Sequence, residues 1–269
     1  MSSTQPTTPQ QICESILIEG KHYNIDHHIL PSENAVADRL LSRGLELKDA
    51  FGELHEKLHR HPPALKLFLD LLLSAAAFWN PEKMKEARSA RYDLADVNQQ
   101  IATKAAELAD LLGRRSRLHN TSGFSSNTHY HVCDVIDAAC ENNYRFKSEV
   151  KERLDTLRAQ FDLKYWPSLG QFLQVIGSDA EHACVEATDP LTAAATSAGR
   201  PSLADFFKAL FKAIEENSAH NYGQFPAGFR LTDNTLASLA NCALDIGQDD
   251  PVDSAYVKRL RQRERSGRK

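Results

Sequence analysis

An all-α fold is predicted by three observations. Apolar residues recur at helical spacing along most of the chain, proline and capping residues open these runs, and only one short N-terminal stretch reads as β. The expected architecture is a multi-helix bundle of about eight to ten helices with one long helical hairpin and at most a short N-terminal β-hairpin. The chain has 269 residues, of which 42% are hydrophobic, 25% charged and 8% aromatic, the make-up of a soluble globular protein. Disorder throughout, a collagen-like fibre and a disulfide scaffold are excluded. A chain of this length buries enough surface to fold without a metal or a disulfide.

The elements follow in order. Residues 1–12, beginning MSSTQPTTPQQ, are polar and read as a disordered tail with no basic stretch before an apolar one, so no secretory signal is expected. In Ile16-Leu17-Ile18-Glu19-Gly20-Lys21-His22-Tyr23-Asn24-Ile25, β-branched and aromatic residues flank a glycine, the pattern of a short hairpin. Pro31-Ser32-Glu33 then opens a helical stretch carrying Val36, Leu40, Leu41, Leu45, Leu47, Phe51, Leu54 and Leu58, with Gly44 as a break and Pro62-Pro63 as its end. The run Ala64 to Trp79 holds Lys66 and Asp70 and falls short of the ~20 residues that cross a bilayer, so it reads as a buried core helix and no membrane is expected.

Asn80-Pro81-Glu82 looks like a cap with proline at the first helical position, starting a helix to about Leu112. Leu94, Val97, Ile101, Leu108 and Leu111 form one seam along it, interrupted by Lys104, which predicts packing in a helical hairpin with residues 128–161 or in a coiled coil. Residues 113–127, GRRSRLHNTSGFSSN, read as the principal loop and as the subdomain break within a helical domain of residues 13–252. Helices follow at Thr128–Asn142 and at Tyr144–Phe161, where Phe146, Val150, Leu154, Leu157 and Phe161 keep helical steps. The similar strings PSLGQFL at 167 and PSLADFF at 201 read as two helix starts, because a repeat array needs a third copy. Leu203, Phe206, Phe207, Leu210, Phe211 and Ile214 make an apolar face, Thr232-Asp233 caps a helix through Leu244, and Asp253-Ser254 caps a basic C-terminal helix over 253–269.

Charge is uneven. The net charge is −4, yet Ser254–Lys269 holds seven basic residues against Glu264 alone, leaving an acidic body with 25 basic and 35 acidic residues. Lys258, Arg259, Arg261, Arg263, Arg265 and Arg268 are therefore the candidate nucleic-acid contacts, since arginine makes bidentate, salt-sensitive bonds to phosphate. Five cysteines without a CxxC pair predict reduced thiols and a cytoplasmic protein.

Three constellations bear on catalysis. His55-Glu56-Lys57-Leu58-His59 matches HExxH, in which histidines one helical turn apart bind zinc and the glutamate serves as base. Over these five residues the chain resembles the zincin metalloproteases, which implies zinc held by His55 and His59 with Glu56 catalytic, and a third ligand sought from Glu82 or Glu86. His129, His131, Cys133, Asp137 and Cys140 are zinc-ligand types, most of them on one predicted helical face, with His119, His182 and Cys184 as outside partners. Arg114 and His119 resemble the catalytic pair of HEPN ribonucleases, which implies general acid–base help to an attacking RNA 2′-hydroxyl. Each set is read first as an ordinary structural feature: solvated histidines on an amphipathic helix, buried thiols, and loop surface. No zinc finger, glycine-rich phosphate loop, GxSxG elbow or helix-turn-helix is present. The leading expectation is a non-enzymatic helical accessory protein without cofactor, whose acidic body binds a protein partner or a second copy and whose tail contacts DNA or RNA without sequence preference. The alternative is a hydrolase, with zinc or of the ribonuclease kind.

Overall fold

The computed structural model describes residues 8–247 and 249–266. The described residues are 73% helical, with 12 helices and no strand. The chain forms a helical bundle fold divided into two compact units, the first made of residues up to Ser89 together with Glu186 onward, the second of Ala90–Val185.

The first unit contains α1 (Pro9–Asp26), α2 (Pro31–Ser42), α3 (Lys48–Leu58), α4 (Pro62–Phe78) and the opening of α5 (Pro81–Thr121), then α9 (Pro190–Thr196), α10 (Ala204–Glu216), α11 (Asp233–Ala243) and α12 (Ser254–Ser266). Two N-terminal expectations are corrected. Residues 9–12 open α1 instead of forming a tail, residues 1–7 lying outside the described ones, and the expected hairpin at 16–25 is the rest of that helix. The reason is local and tertiary at once. Thr8 and Gln11 form a reciprocal capping box, and Cys13 and Leu17, four residues apart, are buried in the core, so packing overrides the β-preference of the isoleucines.

Most of the α4 surface is apolar, and Leu65, Phe68, Leu69 and Leu72 are all buried, while Lys66 and Asp70 pair on its exposed side. Phe68 meets Phe225 and Phe229 edge-on at 6.5 and 6.0 Å, while those two rings stack at 4.8 Å. The turn that delivers Phe225 closes with Gly223 N–H donating to Ser218 O at 2.9 Å and Phe225 N–H to Asn217 O at 3.0 Å. A Cβ on Gly223 would lie 2.1 Å from the Asn217 carbonyl carbon, so only glycine fits this approach. Polar clamps complete the unit. Glu53 on α3 accepts hydrogen bonds from the N–H and hydroxyl of Thr232, which caps α11, and from Thr235. Burial by itself raises the Glu53 carboxyl, but bonds from Lys57, Thr235 and Thr232 outweigh it and hold the group at about 2. Arg88, on the opening turns of α5, is buried: it donates to the carbonyls of Ala198 at 2.9 Å, Met84 at 3.1 Å and Ala195 at 3.0 Å, and to fully buried Asp205 at 3.1 Å.

The second unit contains the remainder of α5, α6 (Val132–Ala139), α7 (Lys151–Gln160) and α8 (Leu169–His182). Here α5 runs on to Thr121, so the loop expected at 113–127 is confined to its last residues. One glycine costs a helix about 1 kcal/mol, too little to stop 41 residues at Gly113. The expected subdomain break at 113–127 thereby falls inside the second unit, the divisions lying at 89/90 and 185/186. The helix expected at Thr128–Asn142 shortens to α6, and that at Tyr144–Phe161 forms with its first turn wound as a π-helix, Phe146–Val150. A Ser168–Gln171 capping box starts α8. Few side chains are buried: Ala105, Ala109, Val132, Cys133, His131 and Phe146 are the ones below a tenth exposed among the described residues 90–185, joined by Gly177 in α8.

Candidate functional site

The second unit's helix pair explains which surface it leaves open. On α5, Ala102, Ala105 and Ala109 form a small-residue stripe, and α8 lies against it through Gly170 and Gly177. A Cβ added at Gly177 would stand 3.2 Å from the Ala105 Cβ and 3.4 Å from the Ala102 carbonyl oxygen, so the two helices approach through atoms that have no larger side chain between them. That contact uses one face of α5. The neighbouring face carries the seam. Leu94 is 51% exposed, Val97 47%, Ile101 40%, Leu108 47% and Leu111 59%, so the packing expected against residues 128–161 is absent there. Because α5 continues past Gly113, the same three-and-four spacing continues to Arg115 and to Leu118, which is 52% exposed. Other elements of the unit add Tyr144, Tyr165, Phe172 and Val175, all exposed. A cleft of about 690 Å³ lies between Leu157, Phe161, Tyr165 and Trp166, the last tilted against buried His131 at 5.3 Å.

A second cleft, of about 450 Å³, is lined by Arg115, Arg117, His119, Tyr130, Ser168 and Gln171. The expected ribonuclease pair is not assembled in it. Five residues apart on a helix, Arg114 and His119 point about 140° apart, whereas Arg115 shares the His119 side. The Ser126 backbone N–H donates to His119 Nε2 at 3.1 Å, with Ser126 Oγ 2.7 Å from the same nitrogen, which ties the ring to its own loop. Arg115 in turn donates to the His129 carbonyl at 3.3 Å.

The histidines of the HEKLH string lie on the last turn of α3 and its C-cap. The His55 and His59 rings stack with centroids 5.4 Å apart, and His59 Nδ1 lies 3.1 Å from the His55 carbonyl oxygen and 3.0 Å from that of Glu56. Glu56 and His59 are exposed. Among the described residues no group of three or more His, Cys, Asp or Glu side chains gathers where an ion would sit. The second cluster is also dispersed. His129 precedes α6, His131 caps it by accepting the Cys133 N–H at 3.1 Å, Asp137 pairs with Lys151, and Cys140 is the C-cap, so the shared helical face expected of them does not form.

The basic C-terminal helix is real and only partly free. Val257 and Leu260 bury against the first unit's core, with Tyr256 packed beside them. Arg261 is held inward: it donates to the Leu231 carbonyl at 3.0 Å, pairs with Asp233, and lies 5.3 Å over the Phe211 ring. Burial lowers its guanidinium from the ordinary value, opposed by Asp233. Lys258, Arg259, Arg263 and Arg265 are exposed, while Arg268 lies outside the described residues.

Comparison with known proteins returns no matching family model, no matching curated protein and no matching solved structure. No single helix among the described residues is long and apolar enough to cross a membrane. Reasoning from the sequence missed the last turns of the seam, Arg115 and Leu118. The unbroken heptad spacing was the signal, masked by reading Gly113-Arg114-Arg115 as loop.

Proposed function

We infer that this chain is a non-enzymatic helical interaction protein, in which the second unit docks a protein through the apolar side of α5 and the exposed face of α12 contacts nucleic acid without sequence preference. The observation that carries the reading is the seam: six large apolar side chains between Leu94 and Leu118 are each at least 40% exposed on one side of one helix. Scattered apolar residues are normal on a protein surface, whereas a contiguous stripe of this kind is the mark of an interaction site. A photo-crosslinking residue at Leu108 is expected to capture a protein, and one at Lys85 on the same helix is not. Absence of any adduct from position 108 in cells overturns the reading.

The nucleic-acid half is supported by Lys258, Arg259, Arg263 and Arg265, four exposed cations on one short helix. It predicts that the full chain binds mixed DNA and RNA at low salt, and that changing these four residues to serine flattens the dependence of log affinity on log salt by about one per lost phosphate contact. No binding by the full chain at low salt removes this half alone.

A further inference from the structure

We propose that the surface of α5 is filled by a second copy of the chain, docked antiparallel so that the two α5 helices cross a two-fold axis beside Lys104 and Glu107. This rests on the reading of α5 as a docking surface and names its occupant. The seam positions Leu94, Val97, Ile101, Lys104, Leu108, Leu111, Arg115 and Leu118 alternate steps of three and four without a fault, the period that lets two helices supercoil. From Leu94 to Leu118 the seam is about 36 Å long and covers more than three heptads, the length at which such a repeat signals a coiled coil. From their exposures, the six apolar side chains offer roughly 600 Å² per copy, against the ~800 Å² per partner of a standard interface, and the stem of Lys104 within the seam and those of Gln100, Glu107 and Arg114 beside it add to this.

The two cations within the seam select the orientation. In a parallel pair Lys104 would face Lys104 and Arg115 would face Arg115, like charges in the layer that excludes water. In an antiparallel pair the layers become Leu94 with Leu118, Val97 with Arg115, Ile101 with Leu111 and Lys104 with Leu108. Each Lys104 ammonium then reaches Glu107 of the other copy, so two cations and two anions alternate around the axis. The pairing is self-complementary, as a two-fold interface requires. A charged residue within an otherwise apolar seam also fixes register, since sliding by one heptad would separate Lys104 from Glu107.

Sedimentation of the full chain is expected to show a monomer–dimer equilibrium in the range on the order of 10 µM. Orientation is read by disulfide trapping in a Cys184→Ser background, which removes the exposed native thiol. Leu94→Cys chains mixed with Leu118→Cys chains should form crosslinked pairs, and neither variant should crosslink with itself. Lys104 and Glu107 are exposed, so changing them leaves the fold intact. Lys104→Glu, which gathers four acids at the axis, should weaken the dimer at least tenfold, and adding Glu107→Lys should restore it. Crosslinks of position 94 to itself, or a Lys104→Glu chain that dimerises as well as the parent, overturn the proposal. A strict monomer overturns it too: an adduct of a different protein at Leu108 then leaves the docking reading standing with another partner, and no adduct at all removes both.

Discussion

The first unit buries five phenylalanines almost completely, whereas the second buries mainly small side chains. Phe51, Phe68, Phe206, Phe207 and Phe225 belong to one buried cluster in the first, and its polar clamps, Glu53 on the α11 cap and Arg88 on Asp205, join residues more than a hundred positions apart. In the second, Ala102, Ala105 and Ala109 of α5 meet Gly170 and Gly177 of α8, and large apolar residues of α5 and α7 such as Leu94, Leu111 and Leu157 face solvent. The same helical periodicity runs through both. What differs is whether another element of the chain covers the apolar face.

The contrast is broken most directly by thiol chemistry. Cys13 lies in the core of the first unit, where burial, aided by Glu14, pushes its thiol up to about 12, and burial also raises Cys133 in the second unit. Both react only when their unit opens, so under native conditions Cys133 should be alkylated at least a hundredfold faster than Cys13, corresponding to about 3 kcal/mol less opening energy. Mass spectrometry after timed labelling measures this, and equal rates would erase the distinction. An effect of similar size is expected from packing: Phe68→Ala should cost about 4 kcal/mol in urea unfolding of the first unit, whereas Leu111→Ala should cost less than about 0.5 kcal/mol in dilute solution, where its side chain is mostly exposed. A large loss at position 111 would mean that its surface is covered within one chain.

Arg88→Ala comes third. It strips fully buried Asp205 of its cation, so a loss of about 3 kcal/mol is expected from the first unit, read by the same denaturation. Cys133 labelling in that variant should be unchanged if the second unit stands by itself. The smallest effect belongs to Glu53. Its folded carboxyl, at about 2, lies below its ordinary 4.5, so the stability it contributes is complete above pH 4.5 and is lost as pH falls toward 2. Glu53→Gln should cost about 1–2 kcal/mol at pH 7 and flatten this acid limb. A variant with an unaltered acid limb would deny the clamp its role.

The helical class and most helix positions were legible in the sequence because α2, α3, α4, α10 and α11 carry the apolar faces that they bury. Errors fell where a local preference met a larger opposing term. Ile16, Ile18 and Ile25 favour strands, but the Thr8 cap and the burial of Cys13 and Leu17 made a helix, and Gly113 punctuates too weakly to stop α5. The site was less legible than the fold. HEKLH states two ligands and says nothing of a third, which depends on residues distant in sequence. Arg261 looks like its neighbours in a basic string, yet helical phase turns it inward onto Asp233 and the Leu231 carbonyl while Lys258 and Arg259 face out. The seam was readable as a pattern, but periodicity does not say what lies against it. Phe146, Val150 and Phe161 share one strong repeat, and only the first is buried.

The first unit is discontinuous in sequence, with the whole of the second unit lying between its halves. This orders events on the ribosome. About 125 residues separate Phe78, the end of α4, from Ala204, the start of α10. At 5–20 residues per second their synthesis takes on the order of ten seconds. Throughout that interval the nascent chain displays Phe51 and Phe68 without the phenylalanines of α10 and the Phe225 turn that enclose them. The apolar face of the first half is thus enclosed only when the last third of the chain emerges.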